Sequence, residues 1–401
     1  MRHCSDRGPG AHSDMIRSGA SWVTAWALVP LVGMGAGCTE SRGDNPGPPE
    51  IPSTYPAPNA LRVETLVSGL HTPWDLAWGP DGALWVTERP GRISRVDVAS
   101  GDLEVLAELP VTESGESGLM GMAFHPRFET EPYVFVVHSY GDESRIRNRL
   151  VRLRFDGSRL VEPETLIDEI PGRGNHDGAR LAIGPDGFLY MTMGDASNQE
   201  DAQNPASLSG KILRLTLDGR PAPGNPFGSA AFSIGHRNPQ GLVFQSGTAR
   251  LYSAEHGPDV SDEVNLIRAG GNYGWPDVRG SCDDESVAET RFCRDNDTTE
   301  PLAEWTPTVG LSGLDAYDSD LIPGWRGSLL VTSLRGETLW RLMLSEEGGR
   351  VTGREMLFAG IYGRLRDVLV GPGGEFYLAT SNQDGRGSPG PTDDRILRVQ
   401  P

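Results

Sequence analysis

The sequence predicts an all-β fold, a six-bladed β-propeller with four antiparallel strands per blade, on three observations. Uninterrupted helical stretches are scarce, because 52 glycines and 31 prolines break up the 401 residues. A pattern of apolar strand, Pro/Gly turn and second apolar strand recurs six times. The copies stand roughly 45 to 80 residues apart, which leaves room for a further strand pair in each interval. A long β-sandwich would also use many strands, but it gives no reason for six similar hairpins.

The first hairpin runs from Leu76-Ala77-Trp78 through Gly79-Pro80-Asp81-Gly82 to Ala83-Leu84-Trp85-Val86. The second joins Met120–Phe124 to Tyr133–Val137 through His125-Pro126. The third repeats the first closely: Leu181-Ala182-Ile183, then Gly184-Pro185-Asp186-Gly187, then Phe188–Met191. The fourth joins Leu242–Phe244 to Leu251-Tyr252 through Ser246-Gly247. The fifth is placed at Ile322-Pro323-Gly324, leading through Gly327 to Leu329–Val331. The sixth joins Val368-Leu369-Val370 to Glu375–Leu378 through Gly371–Gly374. Arg92–Val96 and Leu150–Phe155 read as outer strands. The long stretches 196–235 and 270–320 are expected to be loops on one face, where propellers build their sites.

A chain this long buries a sizeable core without disulfides. The net charge of −19 argues against a nucleic-acid partner, since a polyanion is bound by neutralising its phosphates with Lys and Arg. Any anionic ligand needs a local basic cluster. Residues 1–38 read as a signal segment. Counted from Met15, Arg17 supplies positive charge and Trp22–Met34 an apolar run too short for a comfortable membrane span. Gly35-Ala36-Gly37-Cys38 is similar to a bacterial lipobox, which would make Cys38 a lipidated first residue; ordinary cleavage nearby is the other reading. Residues 39–60 carry six prolines and read as an extended linker. Residues 61–401 then form a single propeller domain. The expected chain is exported, periplasmic or lipid-anchored to the bacterial envelope, and a monomer or homodimer. In an exported chain, Cys282 and Cys293 are expected to pair, contributing roughly 3 kcal/mol in the chain-entropy model.

The richest stretch is 255–275, EHGPDVSDEVNLIRAGGNYGW, which holds Glu255, Asp259, Asp262, Glu263 and Tyr273 among Gly-Pro and Gly-Gly bends. Oxygen-rich side chains on such a backbone suit a hard cation such as Ca²⁺, which takes about six to eight oxygens, many of them carbonyls. Asn175-His176-Asp177-Gly178 precedes the third hairpin, and Gly194-Asp195 follows its second strand. That places His176 and Asp195 at one end of a blade, as a general base and its orienting carboxylate require. A solvated loop histidine is the bland alternative. Arg237-Asn238 can hold a carboxylate or polarise a carbonyl oxygen, or simply pack a turn. Arg364 and Arg366 alternate by two and would share one face of a strand. They read as an anion clamp, or as salt-bridge partners of Asp367 or Glu337 on the surface.

Together, HDGARLAIGPDG (176–187), GHRNPQGL (235–242) and the 255–275 stretch with its GGNYGW ending resemble the PQQ-dependent soluble glucose and aldose sugar dehydrogenases of the glucose/sorbosone dehydrogenase family. The resemblance covers roughly residues 65–399 and is closer to the broad-range aldose branch. It implies a catalytic propeller with PQQ and Ca²⁺ as cofactors, an aldose substrate oxidised at C1 to the lactone, and an external electron acceptor. Carried over by position, His176 is the general base for the anomeric hydroxyl and Asp195 its support. Arg237 and Asn238 flank the quinone, while Arg335, Arg364 and Arg366 meet the cofactor's carboxylates. Arg335 stands where the family often has Lys, keeping the charge and adding a bidentate fork. The cofactor calcium is implied on backbone oxygens of Gly257 and Pro258 together with the cofactor, and a structural calcium on Asp262, Glu263 and Tyr273, partly through backbone oxygens. Glu116 departs from a common Gln, putting a carboxylate beside an anionic quinone, which is unfavourable unless it is protonated or turned away.

Two other functions compete. A propeller lactonase needs carboxylate and Asn ligands converging from several blades on one ion, whereas here the carboxylates cluster in one loop. A non-catalytic binding module keeps the fold and a structural calcium, but has no use for His176, Arg237, Arg364 and Arg366 together.

Overall fold

In a computed structural model, the described residues are 61–142, 144–282 and 286–401; the signal segment, Cys38 and the whole linker lie outside them. Six four-stranded antiparallel sheets span 73–108, 119–171, 178–234, 239–305, 311–357 and 365–400. Arg62–Ser68 completes the last sheet by pairing with Arg395–Gln400, so both ends of the domain close one blade. The first strands of successive blades pack against one another around a central axis. This is the predicted six-bladed β-propeller.

Second strands explain why the hairpins were readable. Leu84–Glu88, Leu189–Met193, Leu251–Glu255, Ser328–Ser333 and Phe376–Thr380 are buried at every position. Covered on both faces, they read as continuous apolar runs. Six hydrophobic clusters fill the gaps between neighbouring blades, with Trp85, Leu119 and Val136 between the first two and Val86, Tyr377 and Ile396 between the last and first.

The fifth hairpin is corrected. Its first strand is Leu311–Tyr317, and Ile322-Pro323-Gly324 belongs to the turn before Ser328–Ser333. Ile322 is apolar because it packs with Tyr317 and Trp325 in the core, and an apolar turn residue looks like a strand. The long stretch 270–320 also holds the helix Val287–Asn296, capped by Ser286, whose hydroxyl accepts the Glu289 N–H at 3.1 Å. Cys282 and Cys293 form the expected disulfide.

Each first strand breaks register near its start, as between Pro73 and Asp75, Gly178 and Leu181, and Leu365 and Asp367. Such bulges re-aim side chains. Here they gather Asp75, Arg180 and Asp367 at the axis. Arg180 Nη1 pairs with Asp75 and, at 3.1 Å, with Asp367, while its Nε donates to the Gln240 carbonyl at 2.9 Å. Asp75 and Asp367 also accept the Met122 and Leu76 N–H groups, each at 2.7 Å, which ties three blades together.

Candidate active site

His176 lies just before Gly178–Ile183 and Asp195 just after Leu189–Met193, so the third hairpin brings them together, with His176 Nδ1 2.8 Å from Asp195 Oδ1. With Nδ1 facing a carboxylate, Nε2 is the nitrogen left for a substrate. His176 has φ 58°, and Ala196 and Ser197 beside it have φ 47° and 61°. Side-chain-bearing residues held in this left-handed region mark strain at a site. Glu116 supports it by accepting the His176 backbone N–H at 3.1 Å.

Arg237 is set by a buried line of side chains. Ser233 Oγ is 2.8 Å from His236 Nε2, His236 Nδ1 is 3.0 Å from Glu255 Oε1, and Glu255 Oε2 accepts the Arg237 N–H at 3.0 Å. The order is that of a hydrolytic triad, but Ser233 and His236 are fully buried, so the line acts as a strut. Tyr273 stacks on His236 at 4.7 Å. Arg237 Nη1 donates to the carbonyls of Gly257 at 2.8 Å and His256 at 3.2 Å. Burial pulls the Arg237 pKa below its ordinary value.

A cavity of about 420 Å³ lies over these groups, lined by His176, Arg237, His256, Arg335, Arg364 and Arg386 among others. Its size falls within the range of about 300–1,000 Å³ for small-molecule sites. Among the described residues, Arg237 Nε and His256 Nε2 are buried without a partner. Four arginines on one cavity supply the basic cluster that a chain of charge −19 requires.

Residues 70–397 match the family model "Glucose / Sorbosone dehydrogenase". The chain belongs to the glucose/sorbosone dehydrogenase family. It is similar to the PQQ-bound aldose sugar dehydrogenase of Streptomyces coelicolor, with 37% identity, a TM-score of 0.75, and coverage of 86% of this chain and 99% of that one. The aldose sugar dehydrogenase YliI of Escherichia coli is 30% identical over 86% of this chain and 95% of its own. Quinoprotein glucose dehydrogenase B of Acinetobacter calcoaceticus is 29% identical over 79% of this chain and 84% of its own.

Within this dehydrogenase family frame, the predicted clamp arginines are unequal. Arg335 is exposed on the cavity wall, reaching Thr308 Oγ1 at 3.5 Å. Arg364 lines the cavity but pairs with Asp384 at 2.7 Å. Arg366, at the register shift between Leu365 and Asp367, is buried and donates to Gln240 Oε1 at 2.5 Å, and burial lowers its pKa to about 10. Asp367, read as a surface partner of these arginines, is buried against Arg180 instead.

Four donors hold Glu116. It accepts from Asn238 Nδ2 at 3.3 Å, Gln240 Nε2 at 3.4 Å and Arg386 at 3.0 Å, besides the His176 N–H. Burial pushes its pKa up, but His256, Arg386 and the His176 N–H outweigh this and hold it at about 2. Asn238 Oδ1 also accepts the Gly178 N–H at 3.2 Å, bracing the third blade.

The carboxylates read as calcium ligands divide. Asp262 accepts the N–H groups of Gly257 at 2.9 Å, Val309 at 2.7 Å, Gly310 at 2.5 Å and Leu311 at 3.3 Å, so its side chain pins two backbone segments. Glu263 and Tyr273 border a chamber of about 20 Å³ with Glu255, Gly257 and Pro258, room for one water-sized body. Burial, then the charge of Glu255, pushes the Glu263 pKa up to about 8. Among the described residues no three His, Cys, Asp or Glu side chains converge as a metal cage. Sequence reasoning missed Arg386, a lone cation in a Gly/Pro loop, and His256 and Trp275, which lay inside quoted motifs without a role of their own.

Proposed function

We propose that this chain oxidises aldose sugars at C1 to the lactone, as a PQQ-dependent dehydrogenase with His176 as general base. The observation that carries this is the His176–Asp195 pair opening onto an arginine-lined cavity. PQQ, when bound, supplies the acceptor for the hydride that leaves C1. His176 Nε2 takes the proton of the anomeric hydroxyl, while Asp195 fixes the ring tautomer and stabilises the imidazolium. Arg237 presents positive charge where an acceptor gains electrons. Arg335, Arg364 and Arg366 are the cations assigned to the cofactor's carboxylates, Arg335 and Arg364 from the cavity lining.

The donor set fits calcium best at the chamber of Glu255, Glu263 and Tyr273, where a cation would relieve two buried carboxylates. The Gly257 carbonyl, implied as a cofactor-calcium ligand beside Pro258, accepts Arg237 in this arrangement, and no chemical step is assigned to the ion. Export to the periplasm or envelope, read from the N-terminal segment, is supported by the Cys282–Cys293 disulfide. The electrons then pass to an external acceptor.

The test is reconstitution of the purified protein with PQQ and Ca²⁺, followed by an aldose panel with a dye acceptor. Dye reduction should need both PQQ and sugar, and should fall on acidification as His176 takes up a proton before the reaction. A folded protein that reduces no dye with any aldose overturns the reading.

A further inference from the structure

Asp195 is fully buried, and donors surround its carboxylate. Oδ1 accepts the Ser197 N–H at 2.7 Å and faces His176 Nδ1 at 2.8 Å, while Oδ2 accepts the indole N–H of Trp275 at 2.9 Å. Trp275 is itself pinned. Its carbonyl accepts the Gln203 amide at 2.7 Å and its N–H donates to the Gly235 carbonyl at 3.0 Å. Gln203 and Asn272 exchange two further bonds, at 2.9 and 2.8 Å. The Arg237 guanidinium lies 5.3 Å from the indole ring centroid, within cation–π range.

We propose that Trp275 is a positioning residue for the reaction: its indole N–H orients Asp195, and through it His176, while its ring borders Arg237. A carboxylate held at one oxygen alone is free to swing about its Cβ–Cγ bond. The bond to Oδ2 leaves Oδ1 aimed at Nδ1, which keeps the His176 lone pair on Nε2, towards the cavity. The same N–H disperses the charge of Asp195. Without it, the carboxylate pulls harder on a protonated imidazole. The other groups around His176 are Glu116 at its N–H, with Arg237, His256, Arg335, Arg364 and Arg386 across the cavity, and the substitution below alters none of them.

Trp275→Phe removes the donor and keeps an aromatic ring. In the cofactor-free protein, ring-proton NMR reads the titration of His176, assigned by its absence in His176→Ala. The midpoint should shift in Trp275→Phe, upward if the carboxylate keeps its aim with its charge less dispersed and downward if it swings away; an unmoved midpoint overturns the proposal. The kinetic arm rests on the dehydrogenase reading. With PQQ and an aldose, kcat should fall about tenfold and its acid limb should move in the same direction as that midpoint, with KM changed less than about twofold. Because Trp275 acts through Asp195, Trp275→Phe should add little in an Asp195→Asn background, and fully additive losses overturn the assignment. If Trp275→Phe does not fold, the Trp275 indole proton of the native sequence carries the test. It should move upfield in Asp195→Asn, and a fixed signal is contrary evidence. A native protein without turnover would sink the dehydrogenase reading while leaving the NMR arm intact.

Discussion

At the propeller axis, Arg180 is answered by two carboxylates, Asp75 and Asp367; at the cavity, Arg237 bonds the neutral carbonyls of His256 and Gly257. Both guanidinium groups are well covered, yet the acids around them shift in opposite directions. Burial pushes Asp75 and Asp367 up, because two acids share one arginine there. Glu116 beside the cavity is held down at about 2, because burial is outweighed by the cations around it. At the axis two acids share one arginine, whereas four arginines line the cavity, two of them paired with Asp384 and Glu116. Buried charge alone therefore does not mark function; arginines that open onto a cavity do, because there they can meet an anion.

The largest effect that could break this comparison is on turnover. His176→Ala should lower kcat by roughly 10²–10⁴-fold, the range for loss of a general base. Its melting temperature should match that of the native protein, since His176 is a partly exposed loop residue. Near-normal turnover would mean that the cavity is not where the proton moves. The axis should behave in the reverse way. Arg180→Met leaves two carboxylates buried without their cation and should destabilise by roughly 3–5 kcal/mol in urea unfolding. Activity per folded molecule should survive. A variant as stable as the native protein would show that the axis does not depend on that ion pairing.

A smaller test uses pH. Asp177 and Asp315, like Asp75, are pushed up to about 7 by burial. An acid whose pKa is higher folded than unfolded binds its proton more tightly in the folded state. Its contribution is full below the unfolded value near 4 and is lost as pH rises towards 7. The protein should therefore melt higher at pH 5 than at pH 8, and Asp75→Asn should narrow that difference. The low pKa of Glu116 acts in the opposite sense, but only below about pH 4.5, outside this window. An Asp75→Asn melting profile parallel to the native one would remove Asp75 from the account.

These regions were not equally legible in the sequence. The hairpins declared themselves because each is local: two short apolar runs around a Pro/Gly turn. His176 and Asp195 were legible for the same reason, lying at the two ends of one hairpin. The alternation of Arg364 and Arg366 describes a flat strand, and the register shift between Leu365 and Asp367 is not legible in it. The Asp262 side chain was not legible because a carboxylate in a Gly/Pro loop reads the same whether it meets a metal or four backbone N–H groups. Arg386 meets Glu116 across 270 residues, a distance at which no spacing rule operates.

That last pair offers the finest test of the contrast. With Glu116 ionised, the Arg386 charge is largely matched at 3.0 Å and contributes little to an anion in the cavity. Glu116→Gln removes one negative charge and releases Arg386. PQQ should then bind about three- to tenfold more tightly at low ionic strength, and the gain should shrink as salt screens the exposed guanidinium. Arg386→Met should act in the opposite direction, leaving the Glu116 carboxylate uncompensated and weakening PQQ by a similar factor. Both variants keep a side chain able to pack, so a titration of PQQ fluorescence or absorbance at two salt concentrations reads the charge term apart from turnover. If both substitutions weaken PQQ alike at every salt concentration, the pair serves as a mechanical brace for His176, and the charge that meets an anion must come from the other arginines of the site.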